Sequence, residues 1–250
     1  MSTLLEIRQA RKKERYRRDA HYFVFGEDGE GGVYTKDEHA ASQGRDAVEH
    51  FPDEPCLRAT LDLYLVSAKL LAPEAACYAL NAGIEPAFLE HIWRSGILFI
   101  EKSRHVMATW LTCAYLLWRA RAFPHQLIMV QSKREEDVAA LVYDKEPDQG
   151  RISFLEWSLP DHLRVCELPR AGKYCHLYLP NGSHIWGIPE GGHIIRSHNP
   201  SVVFSDEAAF QPEFGKAYTA ALPAITHGGQ LIVVSSAEPS EFQVLVEAEI

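Results

Sequence analysis

Four short apolar runs, separated by longer segments with a helical pattern, organise the second half of the chain. They occupy residues 97–101, 126–131, 202–205 and 230–235. Apolar runs of this length are typical of strands buried on both faces of a sheet. Their alternation with helical segments predicts an α/β fold in which helices cover a mainly parallel sheet.

The segments around these runs predict the remaining elements. Residues 109–121, 135–143 and 213–222 have the pattern of crossover helices, and residues 55–93 that of a helical preamble punctuated by Pro73 and Pro86. Two apolar stretches flank the turn Pro180-Asn181-Gly182-Ser183, so residues 175–188 are predicted to form a hairpin.

The N-terminal fifth of the chain has a different composition. Residues 4–18 contain helix formers without Gly or Pro, and seven of the eleven residues 8–18 are basic. We expect an exposed helix or arm with a solvated face, although an arm that contacts DNA or another subunit is an alternative. The stretch GEDGEGG at residues 26–32 predicts a flexible acidic loop. Residues 1–50 therefore form a predicted arm and loop, and residues 51–250 the main domain.

Charge and composition exclude some classes of protein. The chain has 250 residues and a net charge of -9. This acidic net charge argues against a protein that coats DNA non-specifically, but it is compatible with a DNA-binding protein whose positive charge is confined to a pore. The longest apolar stretches are far shorter than the ~20 residues of a membrane span. The basic N-terminus does not resemble a secretory signal, and five scattered cysteines without a CxxC pair predict reduced thiols rather than disulfides or zinc.

The stretch VVFSDEAAF at residues 202–210 carries the strongest chemical signal. A buried-type strand ends in two consecutive carboxylates, Asp206 and Glu207, whose side chains should point in different directions. Asp206 could hold Mg²⁺ while Glu207 polarises a water that attacks a terminal phosphate. A strand that simply ends in a solvated acidic turn is the alternative.

The stretch ILFIEKSRHVMATW at residues 97–110 has the strand, loop and helix order of a phosphate-binding loop. Helix N-terminal amides and Lys102 favour phosphate there, and Thr109 could ligate Mg²⁺. The standard pattern G-x-x-x-x-G-K-[ST] is absent, because Met107 and Ala108 occupy the places of its second glycine and its lysine.

This loop resembles the deviant Walker A motif of phage terminase large subunits, in which the lysine begins the loop. The resemblance covers Lys102, Ser103, Arg104, His105, Val106, Met107, Ala108, Thr109 and Trp110. It implies that the residues from Lys102 to Thr109 bind the nucleotide. Lys102 would reach the phosphates, Arg104 would contact the γ-phosphate or sense the neighbouring subunit, and Thr109 would bind Mg²⁺.

Three further segments resemble the same family in the same order. Residues 127–142 resemble its second strand and following helix. Residues 181–210 resemble its approach to Walker B, which implies that Arg196 is an arginine finger acting on a neighbouring subunit; an ordinary surface arginine is the alternative. Residues 230–239 resemble its coupling motif, in which Ser235, Ser236 and Ala237 would sense the γ-phosphate. A plain strand end fits the last segment almost as well.

The resemblance as a whole implies a P-loop NTPase of the RecA-like, additional-strand, catalytic-glutamate (ASCE) class, with ATP and Mg²⁺. Such a domain would drive double-stranded DNA into a procapsid in the host cytoplasm, as a homo-oligomeric ring with a portal protein and a small terminase subunit. A catalytically silent nucleotide- or DNA-binding module and a helicase-like remodelling ATPase are the alternatives. We expect no nuclease activity, because no second acidic cluster for two-metal cleavage follows the coupling motif.

Overall fold

The computed structural model describes residues 4–27, 31–36, 48–103, 107–146, 149–165 and 175–249. Its helices are α1 (Leu4–Arg18), α2 (Ala20–Phe25), α3 (Pro55–Ser67), α4 (Cys77–Asn81), α5 (Pro86–Ser95), α6 (Ala108–Ala122), α7 (Glu135–Leu141), α8 (Arg151–Trp157), α9 (His193–Arg196), α10 (Phe214–Thr226) and α11 (Glu241–Glu249). Its strands are β1 (Tyr34–Lys36), β2 (Val48–His50), β3 (Ile97–Lys102), β4 (Leu127–Ser132), β5 (His176–Tyr178), β6 (His184–Pro189), β7 (Val202–Asp206) and β8 (Gln230–Ser236).

Six strands form one sheet in the order β3-β8-β7-β4-β6-β5. All neighbours pair in parallel except the edge strand β5, which is antiparallel to β6 and forms the predicted hairpin with it. The last strand of the sequence, β8, lies between β3 and β7. The predicted mainly parallel sheet is confirmed, and the structure places β8 as an additional strand between the strands of the two candidate motifs.

The sheet is covered on both faces, which explains why its central strands are apolar throughout. On one face, Leu98, Ile128 and Phe204 join the cluster formed by α3, α6 and α8. On the other face, Met129 and Val203 pack with residues of α9, α10 and α11. Alternate residues of each strand thus enter different apolar clusters, as expected for a fully buried parallel sheet.

The N-terminal helices pack on the first of these clusters. Tyr16 of α1 and Phe23 and Val24 of α2 are buried there, whereas the basic residues of α1 remain mostly exposed. Tyr16 donates a hydrogen bond from its hydroxyl to the carbonyl of Gly32 at 2.9 Å. The boundary at residue 50 between arm and main domain stays a prediction.

A buried glutamine ties the additional strand to the helical layer. Gln230, the first residue of β8, donates from Nε2 to the carbonyl of Tyr64 at 2.9 Å and to the hydroxyl of Ser67 at 2.8 Å. Its Oε1 accepts from the hydroxyl of Tyr115 at 2.8 Å. Because a buried amide is costly unless its groups are paired, this network favours one position of β8 against α3 and α6.

Two further observations concern the chain as a whole. Within the part of the chain that the structure describes, no helix is long and apolar enough to cross a bilayer. Cys56, Cys77, Cys113 and Cys175 are free thiols, and the first two are exposed. Cys166 lies outside the described residues.

Candidate active site

The two consecutive carboxylates lie where β7 ends. Asp206 is the last residue of this strand and is 7% exposed, and Glu207 follows with φ 50° and ψ 45° before the 3₁₀ turn Ala208–Phe210. This left-handed backbone is unfavourable for a residue other than glycine, and such strain is concentrated at functional sites. The sharp turn directs Glu207 away from Asp206, so the two carboxylates have different partners.

Asp206 faces the first turn of α6. The hydroxyl of Thr109 donates to Asp206 Oδ1 at 3.0 Å. Burial raises the pKa of Asp206 to about 6, against the opposing effects of the Arg151 charge and of the Thr109 hydrogen bond. Asp206 is therefore a buried carboxylate that neighbouring cationic and hydroxyl groups help to keep ionised at neutral pH.

Glu207 faces the end of β3. Lys102 donates from Nζ to Glu207 Oε1 at 2.8 Å, and the two side chains are 11% and 36% exposed, respectively. Strands β3 and β7 are two strand spacings apart, about 10 Å, because β8 lies between them. The long lysine side chain and the turned-out glutamate thus meet over the end of the additional strand.

The end of β8 contacts the Glu207 turn directly. The backbone N–H of Ser236 donates to Glu207 Oε2 at 3.3 Å, and the hydroxyl of Ser235 accepts from the N–H of Ala209 at 3.0 Å. In register, Ser236 is the partner of Lys102 across β3 and β8. The structure therefore brings Ser235 and Ser236 to the site, while Ala237 follows the strand and is exposed.

A second layer of polar side chains supports the carboxylate turn. Gln211 donates from Nε2 to the carbonyl of Asp206 at 2.8 Å and to the hydroxyl of Ser205 at 3.0 Å. The Ser132 hydroxyl lies 3.5 Å from the same Asp206 carbonyl. Gln211 is not recognisable from the sequence, since a glutamine five residues after a strand carries no motif signal.

The predicted nucleotide-binding loop is described at its two ends. Lys102 closes β3, Ser103 is exposed, Ala108 is buried and Thr109 stands in the first turn of α6. Met107 has φ 56° and ψ 6°, the left-handed conformation in which glycine is favoured. Met107 thus occupies the place of the standard loop's second glycine with a backbone that suits glycine. Arg104, His105 and Val106 lie outside the described residues.

Arg151 is a basic residue of this site that sequence reasoning missed. It opens α8, its guanidinium lies 5.6 Å from the ring centroid of Trp110, and its charge is the largest that acts to lower the pKa of Asp206. Helix α8 has only seven residues, so its hydrophobic pattern is weak. The Gly150 that precedes it and the apolar spacing of Ile152 and Leu155 were the available signals.

Arg196 is placed elsewhere. It is the last residue of α9, is exposed, and lines a cavity with Pro223 and His227 near the start of β8. Asp206 and Glu207 lie at the opposite edge, about 13 Å away along β7 by the rise of an extended strand. The structure does not bring Arg196 to the carboxylates of its own chain. This position agrees both with a role toward a neighbouring subunit and with an ordinary surface arginine.

The oxygen atoms at this edge fit a magnesium ion. Mg²⁺ prefers carboxylate and hydroxyl oxygens and keeps several waters, so that one or two protein ligands with substrate phosphates are sufficient. The Asp206 carboxylate and the Thr109 hydroxyl are such a pair. Among the described residues, no group of three or more His, Cys, Asp or Glu side chains is arranged as a metal site.

No family model matches the chain. No curated protein matches it either. The similar solved structures include the large terminase of bacteriophage HK97, at 18% identity and a TM-score of 0.47, and the large terminase ATPase domain of Thermus phage P74-26, at 12% and 0.41. The large terminase of thermophilic bacteriophage D6E, solved in complex with ADP, is similar at 15% and 0.38.

These similarities cover only part of each protein. The matched region covers 60%, 58% and 56% of this chain, and 32%, 61% and 33% of the HK97, P74-26 and D6E chains, respectively. The structures belong to the family that the sequence motifs resemble.

Proposed function

We propose that this chain hydrolyses ATP with Mg²⁺ at the carboxyl edge of its sheet, as the motor domain that drives double-stranded DNA into a viral procapsid. The observation that carries the proposal is the meeting of Lys102, Thr109, Asp206 and Glu207, joined in two hydrogen-bonded pairs. These side chains come from β3, α6 and the end of β7. They combine a phosphate-binding cation, two oxygen ligands for a metal and a separate general base.

Each residue has a role in the proposed reaction. Lys102 would release Glu207 and bind the phosphates of ATP. Thr109 and Asp206 would hold Mg²⁺, which offsets the phosphate charge when it is bound. Glu207 would then accept a proton from the water whose oxygen attacks the γ-phosphorus. The bond between that phosphorus and the bridging oxygen breaks, and ADP and phosphate leave.

The contacts of β8 suggest how hydrolysis could move another part of the protein. Ser236 holds Glu207 through its backbone, and Ser235 holds the turn that follows Glu207. A change in the position of Glu207 on hydrolysis would therefore act directly on the end of β8 and on the segment leading into α11. These contacts support the proposed coupling role of Ser235 and Ser236, whereas the role of Ala237 rests on the resemblance alone.

The packaging role rests on the resemblance of the ordered motifs. It adds double-stranded DNA, a portal protein and a small terminase subunit as partners, and a homo-oligomeric ring in which Arg196 acts on the neighbouring subunit's nucleotide. An arginine delivered in this way stabilises the charge of the transferring phosphoryl group. Arg196 is exposed and remote from its own carboxylates, which suits such a role.

The test is Mg²⁺-dependent ATP hydrolysis by the purified chain across a protein concentration series, with and without double-stranded DNA. Lys102→Ala and Glu207→Gln are the variants, and the exposed Lys216→Ala and Glu74→Gln are matched controls. We expect turnover that rises with protein concentration, is lost in both variants and is retained in both controls. Absence of both ATP binding and turnover at every concentration would contradict the assignment.

A further inference from the structure

A cavity at the other edge of the sheet is separate from the carboxylate site. It has a volume of about 300 Å³ and lies between the end of α9 and the second half of α10. This volume is at the lower end of the range for small-molecule sites, roughly 300–1,000 Å³. Asn199 and His227, which line it, precede the starts of β7 and β8, so the cavity opens at the amino edge of the sheet.

The lining of this cavity contains one permanent charge, that of the Arg196 guanidinium. His198, His227 and Asn199 line it with Arg196, together with apolar residues of α9 and α10, and no acidic side chain among the residues that the structure describes belongs to the lining. The chain as a whole has 34 acidic residues against 25 Lys and Arg residues, so the positive charge of this lining is opposite in sign to the net charge of the protein. A concave surface lined by one sign of charge concentrates the opposite charge.

The two imidazoles are oriented by their own helices. His198 Nδ1 lies 2.9 Å from the carbonyl of Ile194, and His227 Nδ1 lies 2.6 Å from the carbonyl of Pro223. Because a carbonyl only accepts, Nδ1 carries the proton in both rings. The second ring nitrogen, Nε2, is therefore the one available to a bound group, and it donates when the ring is protonated. Trp186 packs edge-on against the His198 ring, with ring centroids 5.1 Å apart, and further restrains this imidazole.

We propose that this cavity binds a phosphate-type oxyanion. The Arg196 guanidinium supplies a planar set of donors that matches phosphate oxygens, and Asn199 supplies an amide donor. Each imidazole adds an Nε2–H donor in its protonated form, because its Nδ1 already donates to a backbone carbonyl. The cavity is too far from Lys102 and Glu207 to share a ligand with them in one chain. The bound phosphate therefore belongs to a molecule other than the ATP at Lys102 and Glu207 of the same chain. That molecule is either a nucleotide or a nucleic acid, which binds through its backbone.

The test follows the ring signals of His198 and His227 by NMR in the full chain while inorganic pyrophosphate is added at constant ionic strength. We expect both rings to shift with one common dissociation constant, while His91 and His162, outside the cavity, stay unchanged. Arg196→Gln is expected to weaken binding about tenfold, the loss of one charge-assisted hydrogen bond. Arg94→Gln, an exposed arginine on α5, is the matched control and should bind as the wild type does.

Two arms identify the source of the phosphate. They use ATP and a short DNA duplex, each added to the Lys102→Ala variant, whose own nucleotide site is impaired. Saturable shifts of the His198 and His227 signals on addition of ATP indicate that the ligand is a nucleotide. Saturable shifts on addition of the duplex indicate that the ligand is a nucleic acid backbone. The proposal is overturned if pyrophosphate moves neither ring, if all histidines move alike, or if both Arg196→Gln and His227→Gln bind as tightly as the wild type. None of these readouts depends on ATP hydrolysis.

Discussion

Lys102 and Glu207 are 105 residues apart in sequence and form an ion pair in which Nζ lies 2.8 Å from Oε1. In the proposed mechanism both residues are needed for other tasks, since Lys102 binds phosphate and Glu207 activates water. Their pairing keeps two charged, partly buried groups satisfied when no nucleotide is present. It also means that a nucleotide must compete with Glu207 for Lys102.

This competition predicts opposite effects on binding and turnover in Glu207→Gln. Loss of the general base should lower ATP turnover by about 10²–10⁴-fold. Loss of the competing carboxylate should at the same time tighten ATP binding, because Lys102 is released. Equilibrium binding of ATP and single-turnover hydrolysis in the same preparation test this. Weaker ATP binding in Glu207→Gln would contradict the view that the ion pair competes with the nucleotide.

The Thr109 hydroxyl predicts a metal-dependent defect. Thr109→Val keeps the shape of the side chain but removes the donor to Asp206, and a hydrogen bond to a charged group contributes about 1.5–3 kcal/mol. We expect the Mg²⁺ concentration for half-maximal ATP hydrolysis to rise about tenfold or more. Thr109→Ser, which retains the hydroxyl, should remain close to the wild type. Equal defects in both variants would indicate a packing effect instead.

The raised pKa of Asp206 predicts a pH-dependent stability difference. The pKa of about 6 in the folded state lies above the ordinary aspartate pKa of 3.8, so folding favours protonated Asp206. This contribution is complete below the unfolded-state value and is lost as pH rises through about 6. Asp206→Asn removes the buried charge and should therefore be more stable than the wild type at about pH 8, by about 3 kcal/mol.

Urea unfolding of wild type and Asp206→Asn between about pH 4 and pH 8 measures this difference. The advantage of the variant should shrink steadily as pH falls. Asp137→Asn, whose carboxylate is exposed on α7, is the matched control. A stability difference for Asp206→Asn that does not change with pH would show that burial of the Asp206 charge is not its cause.

The left-handed backbone of Met107 predicts an unusual order of stabilities. Met107→Ala and Met107→Gly both remove a side chain that packs on the apolar core, but only glycine also relieves the positive φ. We expect the glycine variant to be more stable than the alanine variant by about 1 kcal/mol, the reverse of the order inside a helix. Paired denaturant unfolding curves decide between the two orders.

The remote position of Arg196 predicts complementation between inactive subunits. Arg196→Ala retains its own carboxylates, and Glu207→Gln retains its own arginine, so mixed assemblies contain some complete interfaces. Each variant alone should have little ATP turnover, and their mixture should recover part of it. A mixture of Lys102→Ala and Glu207→Gln should recover none, because both changes damage the same site. Failure of the first mixture to exceed the second would indicate that Arg196 does not act between subunits.

Much of this architecture follows from local patterns. The four apolar runs predicted at 97–101, 126–131, 202–205 and 230–235 are strands β3, β4, β7 and β8. They were recognisable because strands buried on both faces are apolar throughout. The hairpin of β5 and β6 was recognisable from its Asn-Gly turn, where Gly182 has φ 81°. Helix α8 was missed because a stretch of seven residues bounded by turn residues is too short to show a helical period.

The sequence by itself determined the residue types at the strand ends, since Lys102, Asp206, Glu207 and Ser235 each end or follow an apolar run. Only the tertiary structure decided their partners. The insertion of β8 between β3 and β7 places Ser236 between Lys102 and Glu207, and the fold brings Arg151 next to Asp206 and moves Arg196 to the opposite edge. The physical reason is that hydrophobic periodicity encodes which face of an element is buried, whereas strand order depends on contacts between residues distant in sequence.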